Sequence, residues 1–235
     1  MTRQPRTEPQ DARDRRIGAR NRARVLRAAK QVFARKGFDG TRIAEIAERA
    51  GLPKANVYYY FASKEVIYRT IIEELLAGWN KAFDCITAER EPATAITDYV
   101  RAKLEYSRRH GAESKIFANE AIGGGKFLSR ADRAAIDAMT RQKAQVVEHW
   151  IAAGRLRPVD PRHFFILLWA STQFYAQFDT LACGALGVRR LRRADFTAAA
   201  ATIAALVLHG CGGAASGDAG PHRRKPRAAL PGCAA

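Results

Sequence analysis

The sequence predicts an all-α protein, with an N-terminal three-helix helix-turn-helix domain followed by a larger helical domain. Apolar residues recur at three- and four-residue spacings along most of the chain, which is the pattern of helices with one buried face. No segment keeps the apolar–polar alternation of a half-buried strand. Glycine and proline interrupt the helical pattern and divide it into about nine helices.

The first 62 residues divide into an arm and a helical domain. Residues 1–14 are polar, contain Pro5 and Pro9 and show no apolar period, which predicts a disordered basic arm. A helix follows over residues 15–36 and ends at Gly37. The helix-turn-helix domain is therefore predicted to span residues 15–62.

Two short helical patterns flank a break at residues 51–53. Gly51 supplies the residue without a Cβ that a left-handed cap favours at the end of the first helix. The second helix starts near Lys54 and has only Val57 and Phe61 as core anchors. A short helix that uses so few positions for the core presents the others outward, as the recognition helix of a helix-turn-helix does.

The second domain is predicted to span residues 63–210. Ser63 is a suitable N-cap for a long helix of about 25 residues, over residues 64–88, which connects the two domains. Five further helices are predicted over residues 94–109, 114–122, 129–153, 160–181 and 193–208. Residues 211–235 contain almost no large apolar side chains, so they are predicted to form a disordered tail.

The last two predicted helices favour a homodimer. The helix over residues 160–181 has apolar or aromatic residues on nearly every side, so it must be covered on every side. The final helix offers one apolar stripe, formed by Phe196, Ala199, Ala200, Ile203 and Val207. Two such helices and their copies would make a two-fold, four-helix interface. A fully buried core helix in a monomer is the alternative.

The excess of basic residues indicates an anionic partner. The chain has 40 Lys and Arg against 23 Asp and Glu, a formal net charge of +17. Of these, 16 basic but only 6 acidic residues precede residue 65. A solvated basic surface is the alternative explanation. Because the excess coincides with the helix-turn-helix pattern, double-stranded DNA is the favoured partner.

Cysteine usage and the absence of long apolar runs predict a cytoplasmic protein. Cys85, Cys183, Cys211 and Cys233 are far apart and lack metal-ligand spacing, which predicts free thiols in a reducing compartment. The basic start has no apolar run typical of a signal peptide, and no run reaches the ~18 residues that a membrane helix needs. We therefore expect a soluble protein without a cofactor, a metal or a membrane partner.

A series of short segments resembles the DNA-binding domain of TetR-family transcriptional regulators. These segments are Ala28-Ala29, Val32-Phe33, Gly37-Phe38, Ile46-Ala47, Ala50-Gly51, Val57-Tyr58, Phe61 and Ser63-Lys64-Glu65. Residues 53–56 depart from the pattern usual in that family, Ser-x-Gly-Thr. Later segments, above all WASTQFYAQF, are similar to the RutR-like subgroup of pyrimidine-utilisation regulators, which implies uracil or thymine as the effector class.

The resemblance implies a dimer that places two recognition helices in successive major grooves of a near-palindromic operator. The residues assigned to bases by their position in the motif are Lys54, Ala55, Asn56 and Tyr58, and those assigned to phosphates are Thr41, Arg42, Tyr60 and Lys64. Tyr59 is expected to pack between helices or to contact sugar-phosphate. Packing is also the alternative for Tyr58 and Tyr60, but it is less favoured there than for Tyr59.

Two tryptophans indicate an effector site in the second domain. The spacing of Trp79 on the connecting helix, and of Trp169 and Gln173 on helix 160–181, allows both helices to present these residues to one cavity. An indole stacks on a flat ring and an amide binds a carbonyl/NH edge, which suits a pyrimidine-like heterocycle. Plain core packing is the alternative for both tryptophans. Weaker candidates for the same site are Phe117, Asn119 and Tyr175.

Two other classes of function are compared with a ligand-responsive repressor. The five histidines form no metal-type spacing, and no Cys or Ser lies in a nucleophile motif, so we expect no enzyme. The alternative function is a basic helical adaptor that binds proteins or anionic surfaces without recognising a DNA sequence. Sequence-selective, salt-dependent duplex binding would distinguish the repressor from the adaptor.

Overall fold

The computed structural model describes residues 10–211, which form ten α-helices and one short 3-10 helix and contain no strand. The helices are α1 (Gln10–Lys36), α2 (Ile43–Ala50), α3 (Lys54–Tyr60), α4 (Lys64–Ala82), α5 (Pro92–Arg109), α6 (Gly111–Ile122), α7 (Arg130–Ala152), α8 (Pro161–Gln177), α9 (Asp179–Leu186) and α10 (Arg193–Cys211). The 3-10 helix, Phe83–Cys85, follows α4 directly. The predicted all-α class is confirmed.

The arm and tail predictions fall mostly outside the described residues. Residues 1–9 and 212–235 lie beyond them, and so does Cys233. However, α1 begins at Gln10, so residues 10–14 are helical and do not belong to an arm. Glutamine, alanine and arginine favour helix without an apolar stripe, and the absence of that stripe was therefore a poor indicator. Cys85, Cys183 and Cys211 are free thiols, as expected.

Two helix ends differ from the prediction. The connecting helix α4 has 19 residues and ends at Ala82, because the chain tightens into the 3-10 helix that turns Phe83 and Ile86 into the core. The apolar spacing continues through this turn, which explains the predicted end near residue 88. Helix α8 stops before Phe178, whose φ of −120° and ψ of 43° lie outside the helical region, and α9 begins at the next residue.

Two hydrophobic cores share the long helix α4. The first core joins α1, α2 and α3 to Ile67, Tyr68, Ile71 and Ile72 of α4, with Ile116 of α6. The second core joins α5, α7, α8 and α10 to Ala82 and Phe83. The two ends of α4 are therefore buried in different cores. The first core continues past the predicted domain boundary between residues 62 and 63, as far as Ile72. That boundary therefore stays a prediction.

The stripe predicted to form the dimer interface is buried within the chain itself. Its residues, Phe196, Ala199, Ala200, Ile203 and Val207, belong to the second core, where α10 packs against α5. Alanines allow this close approach, but the partner is a helix of the same chain. This assignment is therefore corrected. The large apolar side chains that stay exposed on the last three helices and at the α8–α9 junction are Ile166, Leu167, Phe174, Phe178, Leu181, Leu186 and Leu206.

Helix α10 also differs from the expectation that no segment suits a membrane. Among residues 10–211 it is the one helix whose length and composition would allow it to cross a bilayer. Its many alanines and few charges meet that test without a long run of large apolar residues. One face of α10 is buried against α5, and the opposite face lies at the surface of the helical bundle.

Candidate functional site

Helix α3 is held on the protein by few contacts and presents most of its side chains outward. Gly51 has a φ of 62° and closes α2 with a left-handed cap, and the Leu52 backbone N–H donates to the carbonyl of Ala47 at 3.0 Å. Within α3 only Val57 is buried, and Phe61 follows as the second anchor. The predicted turn and both predicted anchors are therefore present.

The outward face of α3 carries aromatic, amide and ammonium groups. Tyr59 is 82% exposed and Tyr58 is 47% exposed. The ammonium of Lys54 lies 5.8 Å from the centre of the Tyr58 ring. Ala55 is exposed and Asn56 is half-buried. Phenol, amide and ammonium groups donate hydrogen bonds to phosphates and base edges, so this face has the chemistry of a DNA-contacting surface.

Tyr60 is more enclosed than expected, whereas the exposure of Tyr59 agrees with its expected contact to sugar-phosphate and not with the packing alternative. Tyr60 is half-buried against the first core, and its hydroxyl accepts a hydrogen bond from Nδ2 of Asn21 at 3.4 Å. Tyr59 packs edge-on to Tyr60, at 5.0 Å between ring centres, but is otherwise open to solvent. Packing therefore applies to Tyr60, while Tyr59 is free to contact a ligand. Asn21 was not predicted, because only the fold brings the first helix beside α3.

Lys64 is occupied by the protein itself, which corrects its assignment to a phosphate. Its ammonium donates to the carbonyls of Phe38 at 2.9 Å and Thr41 at 3.1 Å and lies 4.2 Å from the centre of the Phe38 ring. Thr41 is likewise buried, and its hydroxyl donates to the carbonyl of Gly37 at 2.7 Å. Among Thr41, Arg42 and Lys64, which were assigned to phosphates, Arg42 is the exposed residue.

Trp79 lies in a cluster with an aromatic ring and a buried cation. The Phe117 ring packs edge-on to Trp79 at 4.6 Å between ring centres. The ammonium of Lys103 lies 4.1 Å from the centre of the Trp79 ring. Neither Trp79 nor Phe117 belongs to either of the two hydrophobic cores. Trp79 thus joins α4 to α5 through a cation–π contact with Lys103, and to α6 through its ring contact with Phe117.

Trp169 contacts the same face of α5 one turn away. Its indole N–H donates to the Tyr99 hydroxyl at 2.9 Å, and its ring stacks on Phe165 at 6.2 Å between centres. Tyr99 and Lys103 are four residues apart on α5 and so share a face. Each of them contacts one of the two predicted tryptophans, which brings Trp79 and Trp169 to one side of α5. Gln173 is half-buried one turn beyond Trp169.

Lys103 is the functional candidate that the sequence analysis missed. It is 2% exposed, and in the described part of the chain its ammonium has neither an ion pair nor a hydrogen bond. Burial lowers its pKa from the ordinary 10.5 to about 7. The signal was available, because Lys103 lies four residues after Tyr99 and next to Leu104 on an apolar face.

The weaker effector candidates separate from this cluster, apart from Phe117. Asn119 is exposed to solvent. Tyr175 faces Phe196, at 6.1 Å between ring centres, and lines a different cavity. Both assignments are therefore corrected. The side-chain oxygen of Gln173 accepts a hydrogen bond from Nε2 of Gln177 at 3.1 Å, so its amide is oriented by a neighbour on the same helix.

Comparison with known proteins accounts for nearly all of the described chain. Residues 25–71 match the family of bacterial regulatory proteins described as the tetR family. Residues 72–214 match the family described as YcdC-like protein, C-terminal region. The two matches meet within α4, between Ile71 and Ile72, in the helix that the two cores share.

Named relatives are regulators of transcription. The HTH-type transcriptional regulator RutR of Escherichia coli K12 is 37% identical over 166 residues, which cover 71% of this chain and 78% of the relative. The HTH-type transcriptional repressor NicS of Pseudomonas putida is 26% identical over 162 residues, or 66% of this chain and 76% of the relative.

Solved structures agree on the fold. The ketosteroid transcriptional regulator KstR2 of Mycobacterium tuberculosis superposes with a TM-score of 0.63 at 22% identity, over 81% of this chain and 94% of that one. A transcriptional regulator of Streptomyces coelicolor gives a TM-score of 0.60 at 24% identity, over 81% and 98% of the two chains.

We expect Lys64→Met to destabilise the protein. The substitution keeps the aliphatic stem but removes the donor to two carbonyls, which should lower the free energy of unfolding by about 1–3 kcal/mol. Urea denaturation monitored by circular dichroism measures this change. Lys54→Met, at an exposed position on α3, is the control and should stay within about 0.5 kcal/mol of the parent. Equal stability of the two variants would contradict the structural role of Lys64.

We expect Lys103→Met to raise the melting temperature, and more at low than at high pH. Because burial lowers the pKa of Lys103, the folded state binds fewer protons than the unfolded state between about pH 7 and 10.5. The cost of the buried charge is therefore complete below pH 7 and disappears as the pH approaches 10.5. Lys81→Met, exposed on α4, is the control. A gain over this control that does not change between pH 6.5 and 9.5 would refute the assignment.

Proposed function

We propose, since this chain belongs to the TetR family of bacterial regulatory proteins, that it represses transcription as a homodimer bound to a near-palindromic operator and leaves the operator when a small effector binds. It is a ligand-responsive transcriptional regulator and not an enzyme. The family match and the named relatives favour this function over that of a basic helical adaptor. We place it in the cytoplasm, where its operator DNA is accessible.

The observation that carries the proposal is the outward face of α3. A helix with a single buried residue and two exposed tyrosines contributes little to the core. Its exposed residues are therefore available to contact a binding partner. We assign Lys54, Ala55, Asn56 and Tyr58 to base edges, with Asn56 suited to adenine and Lys54 to guanine. We assign Tyr59 to the sugar-phosphate backbone. Arg42 and the N-terminus of α2 would hold a further phosphate.

The exposed apolar surface of the last three helices supports a dimer. Leu206 of α10 is 69% exposed, Leu167 of α8 is 57% exposed and Leu181 of α9 is 62% exposed. Monomeric soluble proteins rarely expose large continuous apolar patches. A second copy related by a two-fold axis would cover this surface. The two copies of α3 would then need to lie about 34–36 Å apart to enter successive major grooves.

The environment of the two tryptophans supports a flat effector that carries a carbonyl group. Trp79 and Trp169 would supply aromatic faces, and the Gln173 amide would bind a carbonyl/NH edge. The side chain of Lys103 is almost wholly buried, but its ammonium is not among the atoms closed off from solvent and has no acceptor within the described residues, so a ligand carbonyl could reach it and accept a hydrogen bond. These groups together suit a pyrimidine-like heterocycle, which agrees with the resemblance of the second domain to pyrimidine-utilisation regulators.

Helix α4 offers a path from the effector to the DNA. Tyr68 lies in the first core, while Trp79, three turns further along the same helix, contacts Lys103 and Phe117. An effector that moves Trp79 would displace the end of α4 that supports α1–α3. The dimer would then hold its two recognition helices at a spacing that does not fit the operator.

Asn56→Ala should change sequence preference, whereas Tyr59→Ala should weaken binding to every duplex. The operator is first selected from a random pool, and fluorescence anisotropy then compares it with single-base variants. Loss of a bidentate base contact costs about 1–3 kcal/mol at one position, while loss of a phosphate contact affects all sequences equally. Operator discrimination that is the same for Asn56→Ala and the parent would reject the base contact.

Leu167→Asp combined with Leu206→Asp should convert the dimer to a monomer. Each charge would lie in the apolar surface that a second copy covers, while both positions stay solvated in the single chain. Sedimentation velocity at micromolar concentration measures the change, and circular dichroism checks the fold. Ile122→Asp is the control, since Ile122 is 80% exposed on α6, which is not one of the three helices that carry that surface. A parent that sediments as a monomer would contradict the dimer.

Titration with uracil, thymine and related ring compounds should quench tryptophan fluorescence and release the operator. Trp79→Phe and Trp169→Phe should each remove part of the quench, because both rings would contact the ligand. Lys103→Met should weaken binding at least about tenfold, as expected for loss of a charge-assisted hydrogen bond. No quench and no operator release with any compound would reject the pyrimidine assignment while leaving DNA binding untouched.

A further inference from the structure

A large basic groove runs between the DNA-binding end of the molecule and its second core. Its volume is about 1480 Å³. It is lined by the C-terminal end of α1, the junction of α5 and α6, the α8–α9 turn, and the loop and first turn of α10. None of the residues in the tryptophan cluster, Trp79, Lys103, Phe117 or Trp169, lines it. The groove is therefore separate from the proposed effector site.

The lining has a strong excess of positive charge. Seven Lys and Arg but only two Asp line the groove. Three of the basic groups are paired: Lys115 with Asp179 at 2.8 Å, Arg108 with Glu105 at 2.7 Å and Arg35 with Glu45 at 3.4 Å. Four arginines, here called the loop arginines, have no ion pair to any of residues 10–211: Arg189, Arg190 and Arg192 of the α9–α10 loop, and Arg193 at the start of α10. Four like charges within five positions give this exposed loop a concentrated positive field that favours binding of an anion.

The loop that carries these arginines is fixed at both ends. Gly187 has a φ of 64°, which closes α9 with a left-handed cap, and the Val188 N–H donates to the carbonyl of Cys183 at 3.0 Å. At the other end, the Arg192 N–H donates to the carboxylate of Asp195 at 2.6 Å. Leu191 packs against the second core. The charges are therefore held together by the fold, which lowers the entropy lost when an anion binds.

The groove lies apart from the recognition helix α3 along α1. Helix α3 contacts the first half of α1, through Asn21 to Tyr60 and Arg22 to Phe61. The groove instead contacts Gln31, Ala34 and Arg35. Ten residues of helix separate Asn21 from Gln31, a distance of roughly 15 Å along α1. On the α2 side, however, Arg35 of the groove pairs with Glu45 in the first turn of α2, next to the phosphate contact proposed for Arg42. Binding of duplex DNA by the arginines is therefore an outcome that the test must distinguish.

We infer that this groove binds a small molecule with two or more phosphate groups, of the nucleoside di- or triphosphate class. Guanidinium groups pair bidentately with phosphate oxygens, and several of them together require several negative charges. The volume exceeds the ~300–1,000 Å³ of sites for drug-sized ligands, which suits a nucleotide better than a single phosphate. Half-buried Tyr175 on the wall offers an aromatic ring to the base. Such a ligand would link α1 to the second domain.

Calorimetric titration of the full-length protein with ATP and with inorganic triphosphate, at physiological salt, tests the inference. The parent should bind at least one of them saturably, at one site per chain. Arg189→Gln combined with Arg190→Gln should weaken binding at least about tenfold, as expected for loss of charge-assisted hydrogen bonds. The matched control is Arg101→Gln combined with Arg141→Gln, which removes the same charge from exposed positions outside the groove and should bind as the parent does.

The outcomes distinguish this site from the operator and effector sites. No saturable binding by the parent, or an equal loss in the control, would overturn the inference. Weaker binding of the groove variant to every duplex would assign the arginines to DNA instead. Binding of an acidic peptide but of neither phosphate compound would likewise reject a nucleotide. The groove variant should keep the parent's circular dichroism spectrum and its tryptophan quench by the effector, so either proposal can fail alone.

Discussion

The burial of α4 in two separate hydrophobic cores is the constraint on which the rest of the structure depends. Ile67, Tyr68 and Ile71 belong to the core that supports α1–α3, while Ala82 belongs to the core built on α5, α8 and α10. A helix fixed at both ends cannot shift at one end without disturbing the packing at the other. A displacement beside Trp79 would therefore act on the support of α3, which is the coupling that we propose. The two family matches meet in the middle of this helix, so the division between them crosses a single rigid element.

Periodic apolar spacing was sufficient to predict most of the fold from the sequence. It predicted the helical class and both anchors of α3, and Gly51 itself predicted the turn, because each of these depends on residues close together in the chain. It could not identify partners that are distant in sequence. The stripe on α10 was correctly identified as buried, but periodicity does not say whether the covering helix belongs to the same chain. Phe178 ends α8 through its backbone conformation alone, which leaves the apolar pattern unbroken.

The candidate site shows the same limit for charged residues. Sequence position assigned Lys64 to a phosphate, yet the α1–α2 loop, 26 residues earlier, provides the acceptors for its ammonium. Lys103 passed unnoticed within an apolar face, although a lysine at such a position is costly to bury and so marks a site of interest. The loop arginines and Lys103 are opposite cases. The former are solvated charges gathered at a groove, and the latter is one charge on a nearly buried side chain. Neither finds an ion-pair partner among residues 10–211.

The shallow anchoring of α3 has a consequence for how this protein can change over time. Only Val57 of its seven residues is buried, and the helix is held in place largely by the capped turn before it and by Phe61 after it. Replacing its outward residues therefore removes little packing, so the recognised sequence can diverge without loss of a folded chain. A lineage that duplicates this gene could acquire a new operator by a few substitutions at residues 54–59. The departure at residues 53–56 from the pattern usual in the family is the kind of drift that such tolerance permits.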